Sequence, residues 1–216
     1  MDIDQHKSIE LLEGGVDDLK FVYKRFEREF AAKERKDYQQ LISLINGGKY
    51  KLFLAKDRGL GHVVGYAFVY KIDYPLALWL DYIAIDVPYQ NLGYGTLFFN
   101  KIIEYCSEFL GLFLEVEIPD KENFGFVQQL RRIKFYERLG AKKLAIQYKC
   151  PTVHDGLPMY LYFWPSPGTL MLHKEQIQAA ITAVFDDVHS DQPYRSKVLK
   201  SFYSTIEDIC FSEPFV

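Results

Sequence analysis

Leu78–Cys106 has the sequence LWLDYIAIDVPYQNLGYGTLFFNKIIEYC, and the fold of the chain is built around this stretch. Its pattern predicts a buried strand over 78–85, a turn over 86–89 and a glycine-bearing segment, 90–95, that opens a helix. A turn rich in backbone amides that leads into a helix N-terminus concentrates unpaired N–H donors and the positive end of the helix dipole. The stretch therefore predicts an anion site made of backbone.

Composition limits the class of protein. The chain has 216 residues, enough for one domain with an appended segment or for two small domains. Hydrophobic residues make up 49% and aromatic residues 16%, which is typical of a packed globular protein. The formal net charge of -3 leaves no basic excess, so we expect no nucleic-acid partner.

Cysteine usage and the N-terminal sequence predict a compartment. Cys106, Cys150 and Cys210 lie far apart and lack the spacing of a disulfide framework or a zinc site, so we expect a reducing environment and no metal. The N-terminal MDIDQHKSIELLEGG lacks a signal-peptide pattern, and no apolar run approaches the ~20 residues of a membrane span. These features predict a cytoplasmic protein with no membrane partner.

Hydrophobic periodicity predicts alternating helices and strands around the opening stretch. Strands are expected at 8–12, 50–55, 63–72, 76–85, 112–118, 143–149 and 159–164, and helices at 16–30, 37–45, 95–110 and in a segment ending at Leu139. Short links join the three consecutive strands from 50 to 85, which favours an antiparallel meander.

A proline-rich break predicts the domain organisation. Pro165-Ser166-Pro167-Gly168 would stop a strand, and the pattern beyond it is purely helical, with two helices spaced by apolar residues. We therefore expect a domain over 1–164 and a C-terminal helical extension over 165–216, packed on that domain or on a partner.

The glycine-bearing segment carries a family resemblance. A dinucleotide fingerprint would need a small residue at Phe98 and a P-loop would need lysine after Gly95, so both are excluded. Gln90-Asn91-Leu92-Gly93-Tyr94-Gly95 instead resembles the pyrophosphate-binding loop of the GNAT superfamily, the Gcn5-related N-acetyltransferases. A second stretch, Phe135-Tyr136-Glu137-Arg138-Leu139-Gly140-Ala141-Lys142, is similar to the family's helix-to-strand ending.

The resemblance implies a fold and a cofactor. The fold would be α/β (α+β) and GNAT-like, with a mixed, mostly antiparallel sheet of six to seven strands, about four flanking helices and the C-terminal helical pair. Acetyl-CoA would be the acyl donor, its pyrophosphate solvated by backbone amides and its pantetheine arm paired with a strand edge. The implied cofactor-binding residues are Ile83, Ala84, Ile85, Gln90, Asn91, Leu92, Gly93, Tyr94, Gly95 and Thr96.

Four side chains are candidates for catalysis. Tyr136 matches the family tyrosine that protonates the departing thiolate, although an aromatic packed at a helix end would look the same. Asp81, Glu115 and Glu117 lie on predicted central strands, where buried carboxylates need partners. Each of the three either serves as a base or ammonium-binding group, or forms a structural ion pair with Arg131 or Arg132, or lies exposed at a strand end.

Two functions from different classes follow. The first is transfer of an acetyl group from acetyl-CoA directly to a primary amine of a small molecule or peptide. The second is a catalytically idle acyl-CoA-binding sensor or interaction module, in which the C-terminal helices form a homodimer or partner surface. A longer acyl group is a weaker option within the first.

Overall fold

A computed structural model describes residues 7–32 and 35–211. The strands are β1 (Ile9–Gly14), β2 (Tyr50–Asp57), β3 (Val63–Ile72), β4 (Ala77–Ile85), β5 (Gly111–Glu117), β6 (Lys142–Lys143), β7 (Lys149–Pro151), β8 (Gly156–Pro165), β9 (Met171–Leu172) and β10 (Ile209–Cys210). The α-helices are α1 (Val16–Glu29), α2 (Tyr38–Asn46), α3 (Tyr94–Tyr105), α4 (Phe126–Arg138), α5 (Lys174–Asp187) and α6 (Arg195–Phe202).

The chain forms two compact units. Among the described residues, the first unit comprises those up to Lys71 together with Leu80–Tyr105, and the second comprises Ile72–Trp79 and those from Cys106 onward. Strand order is β1-β2-β3-β4 in the first unit and β5-β8-β6 in the second, where β7 also pairs with β8. The predicted fold class, a mixed sheet flanked by helices, is confirmed, with eight strands in the sheet and six α-helices among the described residues.

Antiparallel pairing and an aromatic core build the first unit. β1 pairs antiparallel with β2, and β2 pairs antiparallel with β3. The second of these pairings is one that the predicted meander requires. In α1, the spacing of Leu19, Val22 and Phe26 places these three residues in the core. The Phe26 ring lies edge-on to those of Phe68 and Tyr82, at 5.7 and 4.8 Å between centroids, so α1 is fixed against β3 and β4.

The second unit is organised around β8. β5 pairs antiparallel with β8 over its whole length, and β6 and β7 pair with β8 in the same sense. Aromatic contacts join the C-terminal helices to the residue that precedes β7, because the Tyr148 ring lies 6.2 Å from Phe185 in α5 and 5.3 Å from Phe202 in α6. The apolar stripe of α5, with Ile177 and Ile181 fully buried, is therefore covered by its own chain.

Three local predictions were wrong. The strand expected at 143–149 is two short strands, β6 and β7, separated by a break. The C-terminal segment is not purely helical, since β9 pairs antiparallel with β10. The spacing of apolar residues from Val198 to Ile209 predicts one helix, but α6 ends at Phe202, and a short 3-10 turn leads to Ile206, which is fully buried. Tertiary burial overrides the helical spacing there.

The remaining element predictions hold to within a few residues. The helix expected over 95–110 ends at Tyr105 and continues as a 3-10 turn, Cys106–Glu108. No helix in the described ranges is long and apolar enough to cross a membrane.

The close approach of β3 and β4 at Gly65 yields a prediction. A Cβ at this position would lie 2.6 Å from Ile85 Cδ1 and 2.7 Å from the Ala84 carbonyl oxygen. Gly65→Ala should therefore lower the free energy of unfolding by about 1–3 kcal/mol, measured by urea denaturation. Gly15→Ser is the control, because a Cβ there meets nothing within 4 Å and serine suits a helix N-cap. Wild-type stability in Gly65→Ala would contradict the close packing.

Candidate functional site

Two left-handed residues shape the loop that precedes α3. Asn91 has φ 59° and Gly93 has φ 89°, values that favour asparagine and glycine. The Leu97 amide donates to the Gly93 carbonyl at 3.2 Å and closes the first helical turn. The first amides of an α-helix have no acceptor within the helix, so those around Tyr94–Thr96 are left to bind a ligand or water. This loop and the first turn of α3 are called the cradle below.

Two hydrogen bonds hold the cradle to its surroundings. The Gln90 side-chain amide donates to the Ile85 carbonyl at 2.8 Å and so joins the loop to the end of β4. The Lys7 ammonium donates to the Leu92 carbonyl at 3.2 Å and brings a positive charge to the loop. Lys7 was missed from the sequence because nothing local connects a residue near the N-terminus with the loop after β4.

Tyr94 anchors the helix rather than offering a side chain to a ligand. Its side chain is buried, and its hydroxyl donates to Asp57 Oδ2 at 2.8 Å. The Leu60 amide donates to Asp57 Oδ1 at 2.6 Å, and this bond is the main cause of the lowered pKa of Asp57. Burial, with the bond to Asp57, raises the pKa of Tyr94 to about 12. Of the residues implied for the cofactor, Tyr94 can therefore contribute only its backbone.

The other implied cofactor residues lie at the surface of the first unit. The strand end Ile83–Ile85 and the helix residues Gly95 and Thr96 are half-buried, whereas the loop residues 90–93 are exposed. A backbone loop that is open to solvent and precedes a helix N-terminus suits an anionic ligand.

Asp81 lies in a buried ion pair within the first unit. Lys36 Nζ is 3.0 Å from Asp81 Oδ2, and the two side chains are only 6% and 4% exposed. The Tyr50 hydroxyl donates to the same carboxylate oxygen, and burial followed by the charge of Asp81 raises the pKa of Tyr50 well above its usual value. Asp81 thus forms a structural ion pair, one of the alternatives considered from the sequence, but its partner is Lys36 and neither of the two arginines.

The two acids of β5 lie in the second unit and have different neighbours. Glu115 accepts a hydrogen bond from the Tyr148 hydroxyl. Glu117 forms an ion pair with Arg132 of α4 at 2.9 Å, with side-chain exposures of 33% and 46%. Arg132 was one of the two partners that the sequence suggested. Because this pair is open to solvent, it contributes only about 0–1 kcal/mol to stability.

Tyr136 is buried near the end of α4. Its ring lies 5.2 Å from that of Phe135, and the side chain is almost fully enclosed. Burial raises the pKa of Tyr136 to about 12, while the nearby Arg132 acts in the opposite direction. The phenol therefore keeps its proton at neutral pH and remains a hydrogen-bond donor.

The fold and the cradle define a class by geometry: a mixed sheet flanked by helices, with a backbone loop between a strand and a helix N-terminus that suits an anionic ligand. The sequence profile described as the Acetyltransferase (GNAT) family matches residues 19–141, more than half of the chain. The chain belongs to the GNAT acetyltransferase family. The GNAT-like fold expected from the sequence is thereby confirmed.

Solved structures agree with this assignment. A Bacteroides thetaiotaomicron protein described as a GNAT-family acetyltransferase shares 22% identity over 83% of this chain and 98% of its own, with a TM-score of 0.66. A Vibrio cholerae SpeG spermidine N-acetyltransferase chimera with hSSAT shares 16% identity over 72% of this chain and 93% of its own, with a TM-score of 0.56. Arabidopsis thaliana NAA60 in complex with acetyl-CoA shares 14% identity over 74% of this chain and 100% of its own, with a TM-score of 0.57. Comparison with curated proteins gave no significant match.

The Asp81 ion pair yields a prediction. Asp81→Asn removes the negative charge and leaves a buried ammonium, so the free energy of unfolding should fall by about 3–5 kcal/mol. Adding Lys36→Met should restore most of this loss, because an apolar side chain needs no counter-charge. Urea denaturation of the two single variants and the double variant measures the coupling. Additive losses in the double variant would exclude a structural pair.

Proposed function

We propose that the protein transfers an acetyl group from acetyl-CoA directly to a primary amine of a small molecule or peptide. The cradle is the observation that carries this proposal, because its left-handed residues Asn91 and Gly93 open a loop of amides at a helix N-terminus. Two of the similar structures support it: one contains acetyl-CoA, and another is titled as a spermidine N-acetyltransferase.

The cradle would hold the pyrophosphate of the cofactor. Amides from Leu92 to Thr96 solvate the negative charge, and the Lys7 ammonium adds a cation beside the loop. The backbone of Ile83–Ile85 pairs with the pantetheine arm, a role that comes from the family resemblance. No metal is needed for these contacts.

The reaction requires a neutral amine, stabilisation of an oxyanion and a proton for the departing sulfur. The amine nitrogen attacks the thioester carbonyl and the C–N bond forms. The C–S bond then breaks, and the proton that the amine loses passes through water to the released thiolate. Tyr136 stabilises the thiolate by donating a hydrogen bond. Its pKa of about 12 exceeds that of a thiol near ~8.5, so donation of a hydrogen bond is favoured over complete proton transfer.

Among the three candidate acids, Glu117 is the best placed to receive an ammonium substrate or a proton. Its pair with Arg132 is open to solvent, so exchange of that partner for a substrate costs little. Asp81, in contrast, is bound in a buried pair that is costly to break. Asp81 therefore ranks behind Glu117 for this role, as does Glu115, whose carboxylate already accepts a hydrogen bond from the Tyr148 hydroxyl.

A catalytically idle acyl-CoA sensor is the second candidate. The burial of the Asp81–Lys36 pair favours it, because one of the three acids is then engaged in stability rather than chemistry. Residues 1–164 would be the acyl-CoA-binding domain in either case, with 165–216 appended. A homodimer through the C-terminal helices is less favoured, since the apolar face of α5 is covered within its own unit.

Acetyl-CoA binding tests the cradle. Gly93→Glu places a carboxylate where the pyrophosphate would bind, so calorimetry should show tight binding by the wild type and at least about 100-fold weaker binding by the variant. Gly168→Glu is a matched control: its glycine also has positive φ, 88° against 89°, and open space around the Cβ position. Absence of binding by the wild type would overturn the proposed function.

Tyr136→Phe tests the chemical step. The variant should lower kcat by about 100-fold with little change in KM, measured as thiol released in the presence of a panel of amines. Tyr66→Phe is the control, because the buried Tyr66 hydroxyl has no hydrogen-bond partner among the described residues and its removal should be neutral. If the wild type bound acetyl-CoA but no amine increased thiol release, the sensor function would be favoured.

A further inference from the structure

Three side chains from separate elements of the second unit converge on one point. Glu115 lies on β5, Cys150 lies on β7, and His189 follows the end of α5. One carboxylate oxygen, the thiol sulfur and one ring nitrogen all lie within 4.8 Å of one another. Among the described residues, this is the group of at least three such side chains that could hold a metal ion.

We propose that Glu115, Cys150 and His189 bind a divalent cation of the zinc type. A thiolate, an imidazole and a carboxylate form a donor set that suits Zn²⁺ better than Mg²⁺ or Ca²⁺, which prefer oxygen ligands alone. Tetrahedral coordination at ~2.0–2.3 Å places ligand atoms about 3.5 Å apart. Side-chain rotations that move each of the three ligand atoms by roughly one ångström bring them from their present separation to that geometry.

The sheet holds two of the ligands in a fixed relation. β8 pairs with both strands, and its register places Leu161 opposite Glu115 and Leu157 opposite Cys150. The third ligand is fixed by its backbone, because the His189 amide donates to the Val184 carbonyl at 3.1 Å. A metal ion would therefore meet ligands that are already ordered, which favours binding.

The surroundings resemble those of protein metal sites. The Tyr148 hydroxyl donates to one oxygen of the Glu115 carboxylate, and such an outer partner orients a ligating carboxylate. The Phe185 ring lies 6.0 Å from His189, and the Tyr148 ring lies 5.3 Å from Phe202. All three aromatic side chains are buried, and a less polar surrounding strengthens the attraction between a cation and anionic ligands.

Partial exposure of two of the ligands lets a metal ion reach the site from solvent. Glu115 and Cys150 are half-buried, whereas His189 is buried. On binding, the Cys150 thiol loses its proton to solvent and its sulfur bonds to the ion, while water completes the fourth position. The ion would tie the segment after α5 to β5 and β7. This inference does not depend on the proposed acetyl transfer.

Metal titration of the full chain tests the site. After treatment with EDTA, the wild type should bind one Zn²⁺ in calorimetry, and Co²⁺ should give the thiolate-to-cobalt charge-transfer absorption of a cysteine ligand. Cys150→Ser should abolish that absorption, and His189→Gln should weaken zinc binding by at least about 100-fold. Zinc should also raise the thermal unfolding midpoint of the wild type.

Matched controls separate this site from nonspecific binding. Cys210→Ser and His154→Gln change an exposed cysteine and an exposed histidine and should bind zinc and cobalt like the wild type. Near-ultraviolet circular dichroism shows whether Cys150→Ser is folded, and if it is not, His189→Gln provides the same comparison. The proposal is overturned if the wild type binds no stoichiometric metal, or if the cobalt absorption persists in folded Cys150→Ser.

Discussion

Both units depend on one constraint: a carboxylate that leaves bulk water must find a partner. Asp57 is held by the Leu60 amide and the Tyr94 hydroxyl, and Asp81 by Lys36 and the Tyr50 hydroxyl. In the second unit, the half-buried Glu115 accepts from Tyr148. Each carboxylate thus fixes elements that are distant in the sequence. Packing alone would not determine these contacts so specifically, because apolar side chains interact without direction.

The cradle is a consequence of this constraint. Tyr94 is the first residue of α3, so its bond to Asp57 at the end of β2 determines where the helix begins. With that end anchored, the loop before it must reverse direction within a few residues, and the left-handed backbone of Asn91 and Gly93 accomplishes this. The position of the exposed amides therefore depends on two things: the buried hydrogen bond between Tyr94 and Asp57, and the left-handed backbone of the loop before the helix.

How well each of these features could be predicted depends on how far apart in the sequence the residues that form it lie. The strand, turn and helix of 78–106 depend on local patterning and could be predicted, as could the glycine-bearing loop before the helix and the family. The partner of Asp81 could not, because Lys36 reaches β4 only in the folded unit. The same holds for β9 and β10, two-residue strands whose pairing joins distant ends of the C-terminal segment. No local pattern marks pairs so short.

Cysteine spacing could not reveal the group of side chains that surrounds Cys150, for a related reason. Spacing rules detect metal ligands that lie close together in one segment, and Cys150 has no such neighbour. In the fold, β8 brings Cys150 near Glu115, and α5 ends where His189 completes the group. The sequence did single out Glu115, but as one of two acids on the same strand face.

The structure separates the roles of those two acids. Glu115 and Glu117 are two residues apart on β5 and point to the same face, yet they meet different neighbours. Glu115 is half-buried and accepts a hydrogen bond from Tyr148, whose ring packs against Phe202 of α6, and a charge in such a position needs a lasting partner. Glu117 lies at the strand end beside a solvent-exposed arginine, where a partner can be exchanged. The metal-binding role proposed for Glu115 and the substrate-binding role proposed for Glu117 therefore do not compete for the same ligand, although the two residues are neighbours on one face of β5.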